Sequence, residues 1–500
     1  MANTQLRPAA KASPKIHTKT RVAASIEHAP TDTLVRDKST SLVEQIVAKV
    51  VARIDDKLLR TGARMPSIRQ FAEQQGVSRF TVVEAYDRLV ASGYLHSRRG
   101  AGFYVRDRNP LQHAQTQPNG QSIVPTKLDV VWLVRTMFRQ LPPQKMPGSG
   151  LLPPNWLDGE LIANALRAVS RGNPNLLLSY GSPQGFAPLR QQLGLKLAEL
   201  DIAANADQIV TTAGVTQGLD LVARHFLQPG DTIFVDDPAW FLMFGSFALL
   251  GAKVVGIPRL ADGPDIAKLA ELAALHRPRL YVVNSVLHNP TSTSLSAAKA
   301  FQILKLAEQF DFMVVEDDIY CDMHPGGATR IAALDQLQRV IYLGGFSKTL
   351  AANLRVGFIA TSPELATQLA DRKILSTLTT SELGERVIHK ILSEGHYRKH
   401  VDRLRGKLDS VRDKTLRQLE RIGITVAGGC DAGMFAWADV GCDTNALTEK
   451  ALTAGYLLAP GCLFSPAQLP SQRMRINVAA MSDTGILRFL ESEIDAAKAG

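Results

Sequence analysis

The chain has 500 residues, of which 45% are hydrophobic, and a net charge of +10. This length exceeds what a single compact core usually organises, so we expect two or three domains rather than one small module. No run of about 18 residues is apolar enough to cross a bilayer, and no apolar leader opens the sequence, so we expect a cytoplasmic protein without a membrane partner.

Positive charge is concentrated at the amino end. Residues 1–39 carry a net charge of +4, residues 40–106 carry +5, and the remaining residues carry only +1. A basic head on a nearly neutral body is typical of proteins that bind phosphate groups with one end, although such an imbalance can also serve solubility alone. We expect residues 1–39 to form a basic, disordered arm.

The cysteines indicate neither a disulfide framework nor a metal site. They lack C-x-x-C spacing, and no set of histidines accompanies Cys321, Cys430, Cys442 and Cys462. The sequence therefore predicts no bound metal.

Three short helices are predicted between residues 40 and 92. Ser41-Leu-Val-Glu44 is a capping box, in which the serine and the glutamate satisfy each other's backbone amides, so a helix should begin there. Ser67 and Ser78 precede two further apolar patterns as N-caps, and Glu84 and Arg88 stand at the i,i+4 spacing of a helical ion pair.

After Gly93, two alternating segments predict a two-stranded wing around Arg98-Arg99. Helix, helix, turn, helix and wing form a winged helix-turn-helix, whose third helix can enter the major groove of DNA. Single arginines often only solvate a surface, but their clustering here favours DNA contact. The candidate DNA contacts are Arg64, Ser67, Arg69, Ser78, Arg79, Thr81, Arg98 and Arg99.

Several motifs in residues 40–106 resemble the GntR-type winged-helix signature and occur in the same order. They are Gly62-Ala-Arg-Met-Pro-Ser-Ile-Arg69, Gly76-Val-Ser-Arg79, Thr81-Val, Ala85-Tyr86 and Gly100-Ala-Gly-Phe-Tyr-Val105. The resemblance implies that this segment binds operator DNA.

Residues 107–126 contain three prolines and four glutamines, which predicts a flexible linker. We expect residues 127–500 to form the body of the protein. Seven apolar runs alternate with helical patterns there and predict a largely parallel α/β sheet. From about residue 365 onward, long helices and short strands predict a smaller α+β subdomain.

Ligand-binding groups are expected where the strands of such a sheet end and helices begin. Ala213-Gly-Val-Thr216 opens a helix and can hold a phosphate with its amides, although the glycine can equally serve only a turn. Asp317 and Tyr320 follow one strand, and Lys348 follows another, with Arg355 seven residues further on. A lysine near a second cation and a phosphate can act as an imine-forming amine, whereas a lone lysine is usually a surface residue.

This ordered set resembles a fold-type I aminotransferase domain over roughly residues 145–500, and the resemblance implies pyridoxal 5′-phosphate as cofactor. Lys348 then becomes the Schiff-base lysine, Asp317 the partner of the ring nitrogen, and Arg475 the site of a substrate or effector carboxylate. The same resemblance assigns the 3-oxygen of the cofactor to Asn289 and Tyr320, ring stacking to Trp240, and the phosphate to Val215, Thr216, Ser347, Arg355 and Tyr180 of a partner subunit.

Two positions depart from the usual aminotransferase pattern. Gly345 stands where a hydroxyl residue commonly binds phosphate, and Val215 stands where Ser or Ala is frequent. Each change removes at most one hydrogen bond, worth on the order of 1 kcal/mol. Arg473 lies two residues before Arg475 and competes with it for the carboxylate role.

Together the two resemblances are similar to the MocR/GabR-type regulators, which implies a head-to-tail homodimer and a small amine or amino-acid effector. We therefore interpret the protein as a pyridoxal phosphate-dependent transcriptional regulator that senses an amine, an amino acid or the cofactor itself through imine chemistry at Lys348, without sustained turnover. The alternative is an active aminotransferase with an accessory DNA-binding domain, because every residue that such an enzyme requires is present. A degenerate scaffold is disfavoured by the intact Lys348, Asp317, Asn289 and Arg355.

Overall fold

The computed structural model describes residues 40–98, 100–106, 135–136, 141–172, 175, 178–428 and 432–499. The chain divides into two compact units, residues 1–121 and 122–500. The predicted arm at 1–39, the predicted linker at 107–126, Arg99 and Cys430 lie outside the described residues.

The amino-terminal unit contains the three predicted helices, α1 (Leu42–Asp55), α2 (Ile68–Gln75) and α3 (Arg79–Ala91). Ser41 forms the predicted capping box with Glu44, and Ser67 forms a second one with Gln70. Ser78 caps α3 by accepting from the amide of Thr81 at 3.1 Å. These caps confirm the predicted helix starts, because a side chain close in sequence satisfies each free amide.

The wing is also present, as strands β1 (Leu95–Arg98) and β2 (Gly102–Val105), which pair antiparallel. The core of this unit contains the fully buried face of α3, with Val82, Ala85, Tyr86 and Leu89 all at 0% exposure. Within the body of α3, Glu84 and Arg88 form the expected ion pair at 2.7 Å.

The second unit is built on a large sheet. Its strands are β3 (Ile209–Thr212), β4 (Thr232–Asp237), β5 (Lys253–Leu260), β6 (Gly263–Pro264), β7 (Leu280–Val283), β8 (Met313–Asp317), β9 (Val340–Gly345) and β10 (Gly357–Ala360). Their spatial order is β3-β10-β9-β8-β7-β4-β5-β6.

This sheet is mostly parallel, as predicted, from β5 through β4, β7 and β8 to β9. Strand β10 runs antiparallel to both β9 and β3. The seven predicted strands are confirmed, and the eighth, β6, is a two-residue edge strand that the apolar pattern is too short to indicate.

This unit also contains α-helices. They are α4 (Gly159–Ser170), α5 (Ala187–Ala198), α6 (Val215–Phe226), α7 (Leu242–Leu249), α8 (Ile266–His276), α9 (Ala297–Phe310), α10 (Ile331–Asp335), α11 (Pro363–Thr377), α12 (Glu382–Ser393), α13 (His396–Arg421), α14 (Thr444–Thr453) and α15 (Thr484–Ala499).

A second, antiparallel sheet contains β11 (Thr425–Val426), β12 (Phe435–Asp439), β13 (Ala459–Pro460) and β14 (Arg473–Asn477) in the order β11-β12-β14-β13. The smaller subdomain that we expect from about residue 365 stays a prediction; its sheet begins at Thr425, after helices α11, α12 and α13. Helix α11 packs on β3 of the large sheet, where Ala366 and Ala370 meet Val210. Small apolar residues on one helix face allow this close packing on a strand.

Candidate functional site

A pocket of about 100 Å³ lies where strands β4, β7, β8 and β9 end. The walls of this pocket contain nine of the ten predicted cofactor residues: Val215, Thr216, Trp240, Asn289, Asp317, Tyr320, Ser347, Lys348 and Arg355. Parallel strands present their carboxyl ends at one edge, so residues far apart in sequence meet there.

Lys348 follows β9 and is partly buried in this pocket. Its Nζ donates to the carbonyl of Gly150 at 2.9 Å. Burial is the largest cause that lowers the pKa of the Lys348 amine, to about 8. The nearby cations Arg475 and Arg355 lower it further, while Asp317 opposes the shift. An amine with this pKa is partly neutral near physiological pH, as nucleophilic chemistry requires.

Asp317 is the last residue of β8, and the amide of Ile319 donates to its Oδ1 at 3.2 Å. Burial and the neighbouring Asp318 raise the pKa of this carboxyl to about 7, although Lys348 opposes the shift. Within the described part of the chain, Asp317 forms no ion pair. A buried carboxyl that lacks a cationic partner fits a protonated pyridine nitrogen, so the residues present suit pyridoxal phosphate.

Asn289 lies beside Tyr320, with 3.3 Å between its Nδ2 and the phenolic oxygen. Asn284, which sequence reasoning missed, positions both neighbouring strand ends. Its Oδ1 accepts from the amide of Asn289 at 2.8 Å, and its Nδ2 donates to the carbonyl of Asp317 at 2.5 Å. Asn284 directly follows β7, so the rule that placed Asp317 at a strand end could have found it.

One end of the pocket is formed by the start of α6 and by Arg355. Gly214 precedes this helix with φ +82°, and a Cβ there would lie 2.6 Å from the Arg355 Nη2 atom. The guanidinium donates to the carbonyl of Ala213 at 2.6 Å and lies 3.5 Å from the Ser347 hydroxyl. Backbone amides at a helix start beside a guanidinium form a suitable phosphate cradle.

The two departures from the aminotransferase pattern are neighbours in space. A Cβ on Gly345 would lie 3.0 Å from Ile319 Cδ1 and 3.4 Å from Val215 Cγ2. Ile319 crowds a side chain at position 345 more than Val215 does, because only the separation from Ile319 is shorter than an ordinary contact. With glycine at 345, a phosphate bound here would rely more on amides and Arg355.

Arg475 does not line the pocket. It is 2% exposed, and its guanidinium donates to Asn289 Oδ1 at 2.9 Å and to the carbonyl of Gly148 at 2.7 Å. It also lies 4.5 Å from the centroid of the Phe435 ring, and burial lowers its pKa to about 10. Arg473 is exposed at the first position of β14, so Arg475 is the arginine that lies beside the site.

Tyr180 also lies away from this pocket and is 81% exposed. Because its expected role is in the site of a partner subunit, its position in a single chain leaves that role a prediction.

A buried polar cluster beneath the pocket was missed by sequence reasoning. Asp236 lines the pocket and accepts from Arg259 at 2.6 Å and from Tyr281 at 2.5 Å. His288 Nε2 lies 3.5 Å from the same carboxylate. Burial raises the pKa of Asp236 and lowers that of His288. These residues have no shared motif in the sequence, since Arg259 and Tyr281 belong to different strands.

In the amino-terminal unit, the predicted DNA contacts fall into two groups. The hydroxyls of Ser67, Ser78 and Thr81 are engaged in helix capping. The guanidinium groups lie on exposed residues: Arg69 pairs with Glu73 at 3.0 Å, Arg98 lies 4.8 Å from the Tyr104 ring, and Arg64 and Arg79 are exposed.

Comparison with known proteins agrees with this geometry. Residues 152–492 match the family described as "Aminotransferase class I and II", and residues 42–105 match "Bacterial regulatory proteins, gntR family". The chain belongs to the MocR type of regulators, which join these two domains. It is a transcriptional regulator whose gntR-family domain binds DNA and whose body takes pyridoxal 5′-phosphate as cofactor.

Three relatives illustrate the two halves of this regulator. The "Probable rhizopine catabolism regulatory protein MocR" of Rhizobium meliloti is 28% identical over 74% of this chain and 76% of its own length. The "Aromatic-amino-acid aminotransferase 1" of Thermococcus litoralis is 31% identical over 69% of this chain and 86% of its own. The crystal structure of Pyrococcus horikoshii kynurenine aminotransferase in complex with PMP has a TM-score of 0.68 and 26% identity, over 78% of this chain and 99% of that chain.

No helix in the described part of the chain is long and apolar enough to cross a membrane, and no group of three or more His, Cys, Asp or Glu side chains there could hold a metal ion.

Proposed function

We propose that this regulator senses a small amine or amino acid at Lys348 and responds by changing how its amino-terminal domain binds an operator. The observation that carries the proposal is the lowered pKa of Lys348 in a pocket shared with Asp317, on a chain that also binds DNA. Pyridoxal phosphate supplies an aldehyde that condenses with a primary amine, so a neutral lysine there can be replaced by an incoming amine.

Each predicted cofactor residue has a proposed part in holding the cofactor. Asp317 would keep the ring nitrogen protonated, and Asn289 with Tyr320 would donate to the 3-oxygen. The remaining residues are assigned to stacking or to the phosphate, namely Trp240 to the ring face and Val215, Thr216, Ser347, Arg355 and the partner's Tyr180 to the phosphate. The donor types suit the atoms they would meet, since amides and guanidinium groups bind phosphate well.

The effector class follows from Arg475. Its Nη2 atom already donates to the carbonyl of Gly148, and its Nη1 atom to Asn289. A carboxylate would be a better acceptor than a neutral carbonyl, because its charge attracts the guanidinium and its two oxygens can accept two parallel N–H groups. The carboxylate of an amino acid would therefore replace the Gly148 carbonyl as the acceptor for Arg475. A simple amine has no carboxylate, so the bond from Arg475 to Gly148 would remain.

We also propose a head-to-tail homodimer, in which Tyr180 reaches the phosphate of the partner's site. Tyr180 is 81% exposed at a position assigned to phosphate binding, which supports the dimer, and the head-to-tail order rests on the resemblance to MocR/GabR-type regulators. A regulator that binds operator DNA would act at the nucleoid in the cytoplasm. Tyr180→Phe should weaken cofactor retention without changing the mass of the dimer.

The alternative is an active aminotransferase with an accessory DNA-binding domain. It is favoured by the pocket itself, which holds Lys348, Asp317, Asn289 and Arg355 together. The discriminating experiment adds candidate amino acids to the purified holoprotein and records the cofactor spectrum, DNA binding and keto-acid release. A sensor should change its spectrum and its DNA binding with little product. Sustained turnover at ordinary enzyme rates, about 1–10³ s⁻¹ and indifferent to DNA, would establish the enzyme instead.

A further inference from the structure

The third helix of the amino-terminal unit exposes a phenylalanine at its beginning. Phe80 is the second residue of α3 and is 76% exposed, whereas Val82 and Ala85 on the core face are at 0%. Among the large hydrophobic residues of the described segment 40–106, only Leu58, at 69%, is similarly exposed, and it lies outside the helices. Core packing therefore does not explain the aromatic ring at this position.

The neighbouring hydroxyl groups are already occupied. Ser78 Oγ accepts from the amide of Thr81 at 3.1 Å and lies 2.8 Å from the Thr81 hydroxyl. The side chain of Arg79, in contrast, forms no hydrogen bond or ion pair with the described residues, and Arg79 is exposed. The side chains available for a ligand at the start of α3 are thus one cation and one apolar ring.

The chemistry of the major groove suits this pair. In helix-turn-helix domains, the first residues of this helix contact base edges in that groove. Every base presents polar atoms there, and the C5-methyl of thymine is the apolar group among them. A phenylalanine side chain has no donor or acceptor, so it can select a base only through that methyl group.

We propose that Phe80 packs on the C5-methyl of a thymine in the operator, next to a base contacted by Arg79. This inference rests on the DNA binding in the proposed function and names the base that the domain reads. The guanidinium of Arg79 supplies donors for guanine, so adjacent guanine and thymine are expected in each half-site.

The test uses the full-length dimer and selects bound duplexes from a random-sequence library. Each thymine of the selected site is then replaced by uracil, which removes only the methyl group. At one position per half-site, uracil should weaken wild-type binding about fourfold. This factor corresponds to losing the burial of one methyl group. Phe80→Ala should bind thymine and uracil equally, whereas Phe80→Leu and the control Leu58→Ala should keep the preference.

Three results would overturn the inference. The uracil penalty could persist unchanged in Phe80→Ala, which would assign the methyl contact to another side chain such as Thr81. No thymine of the site could be sensitive to uracil. Phe80→Ala could also dissociate the dimer while keeping the penalty, which would assign the ring to a subunit contact. If wild-type protein enriches no DNA at all, the proposed function fails as well, and the selection step alone reveals it.

Discussion

Replacing Arg475 by methionine should raise the pKa of Lys348 and slow the capture of pyridoxal phosphate by apoprotein. Burial lowers the pKa of this lysine from its ordinary 10.5 to about 8, with Arg475 as the second cause. At pH 7 this change raises the neutral fraction of the amine from about 3 in 10,000 to about one tenth, roughly 300-fold. Loss of one nearby charge typically moves a pKa by about one unit, so Arg475→Met should capture the cofactor about tenfold more slowly at pH 7.

The assay follows the absorbance of the bound cofactor after mixing at a series of pH values. Wild-type capture should have its midpoint near pH 8, and Arg475→Met should move that midpoint upward. Arg475→Lys keeps a cation while losing the forked hydrogen bonds, so its midpoint should stay near that of the wild type. Arg473→Met, on the same strand but exposed, is the matched control. The reasoning would be refuted by an unmoved midpoint in Arg475→Met or by an equal shift in Arg473→Met.

Three further predictions concern Lys348, the DNA-binding domain and Asp317. The holoprotein should be yellow, and Lys348→Ala should abolish borohydride-fixed attachment of the cofactor; mass spectrometry that finds the label on another lysine would contradict the assignment. The logarithm of the operator-binding constant should fall linearly with the logarithm of the salt concentration, at a slope of about −0.9 per phosphate contact. Arg79→Ala should weaken the binding free energy by ~1–3 kcal/mol if Arg79 contacts a guanine. A fragment of residues 1–110 should bind far less tightly than the dimer, because it loses the avidity of two linked domains. The pKa of Asp317 is raised to about 7 in the folded apoprotein, whereas the unfolded chain has the ordinary value of 3.8. Between these values the folded protein keeps a proton that the unfolded chain has released. The stability contributed by this group is therefore lost as pH rises through about 7. Thermal melts of Asp317→Asn apoprotein between pH 5 and 8 should therefore depend less on pH than those of the wild type.

The sequence by itself determined the features that depend on local chemistry. Ser41, Ser67 and Ser78 cap their helices through amides only three residues away, and this pattern can be read directly along the chain. The apolar runs predicted the strands of the large sheet, because a buried parallel strand must be apolar on both faces. The rule that ligands bind at strand ends then predicted that Asp317 and Lys348 share one pocket.

Only the tertiary structure decided features that depend on contacts between distant segments. Arg475 meets Gly148, 327 residues earlier, and it is buried in the middle of β14, whereas Arg473 is exposed where the strand begins. The spacing of two arginines on a strand cannot report this difference, because both point to the same face. Val215 Cγ2 lies 3.4 Å from the position of a Cβ on Gly345, and this contact between the start of α6 and the end of β9 exists only once the helix has packed on the sheet.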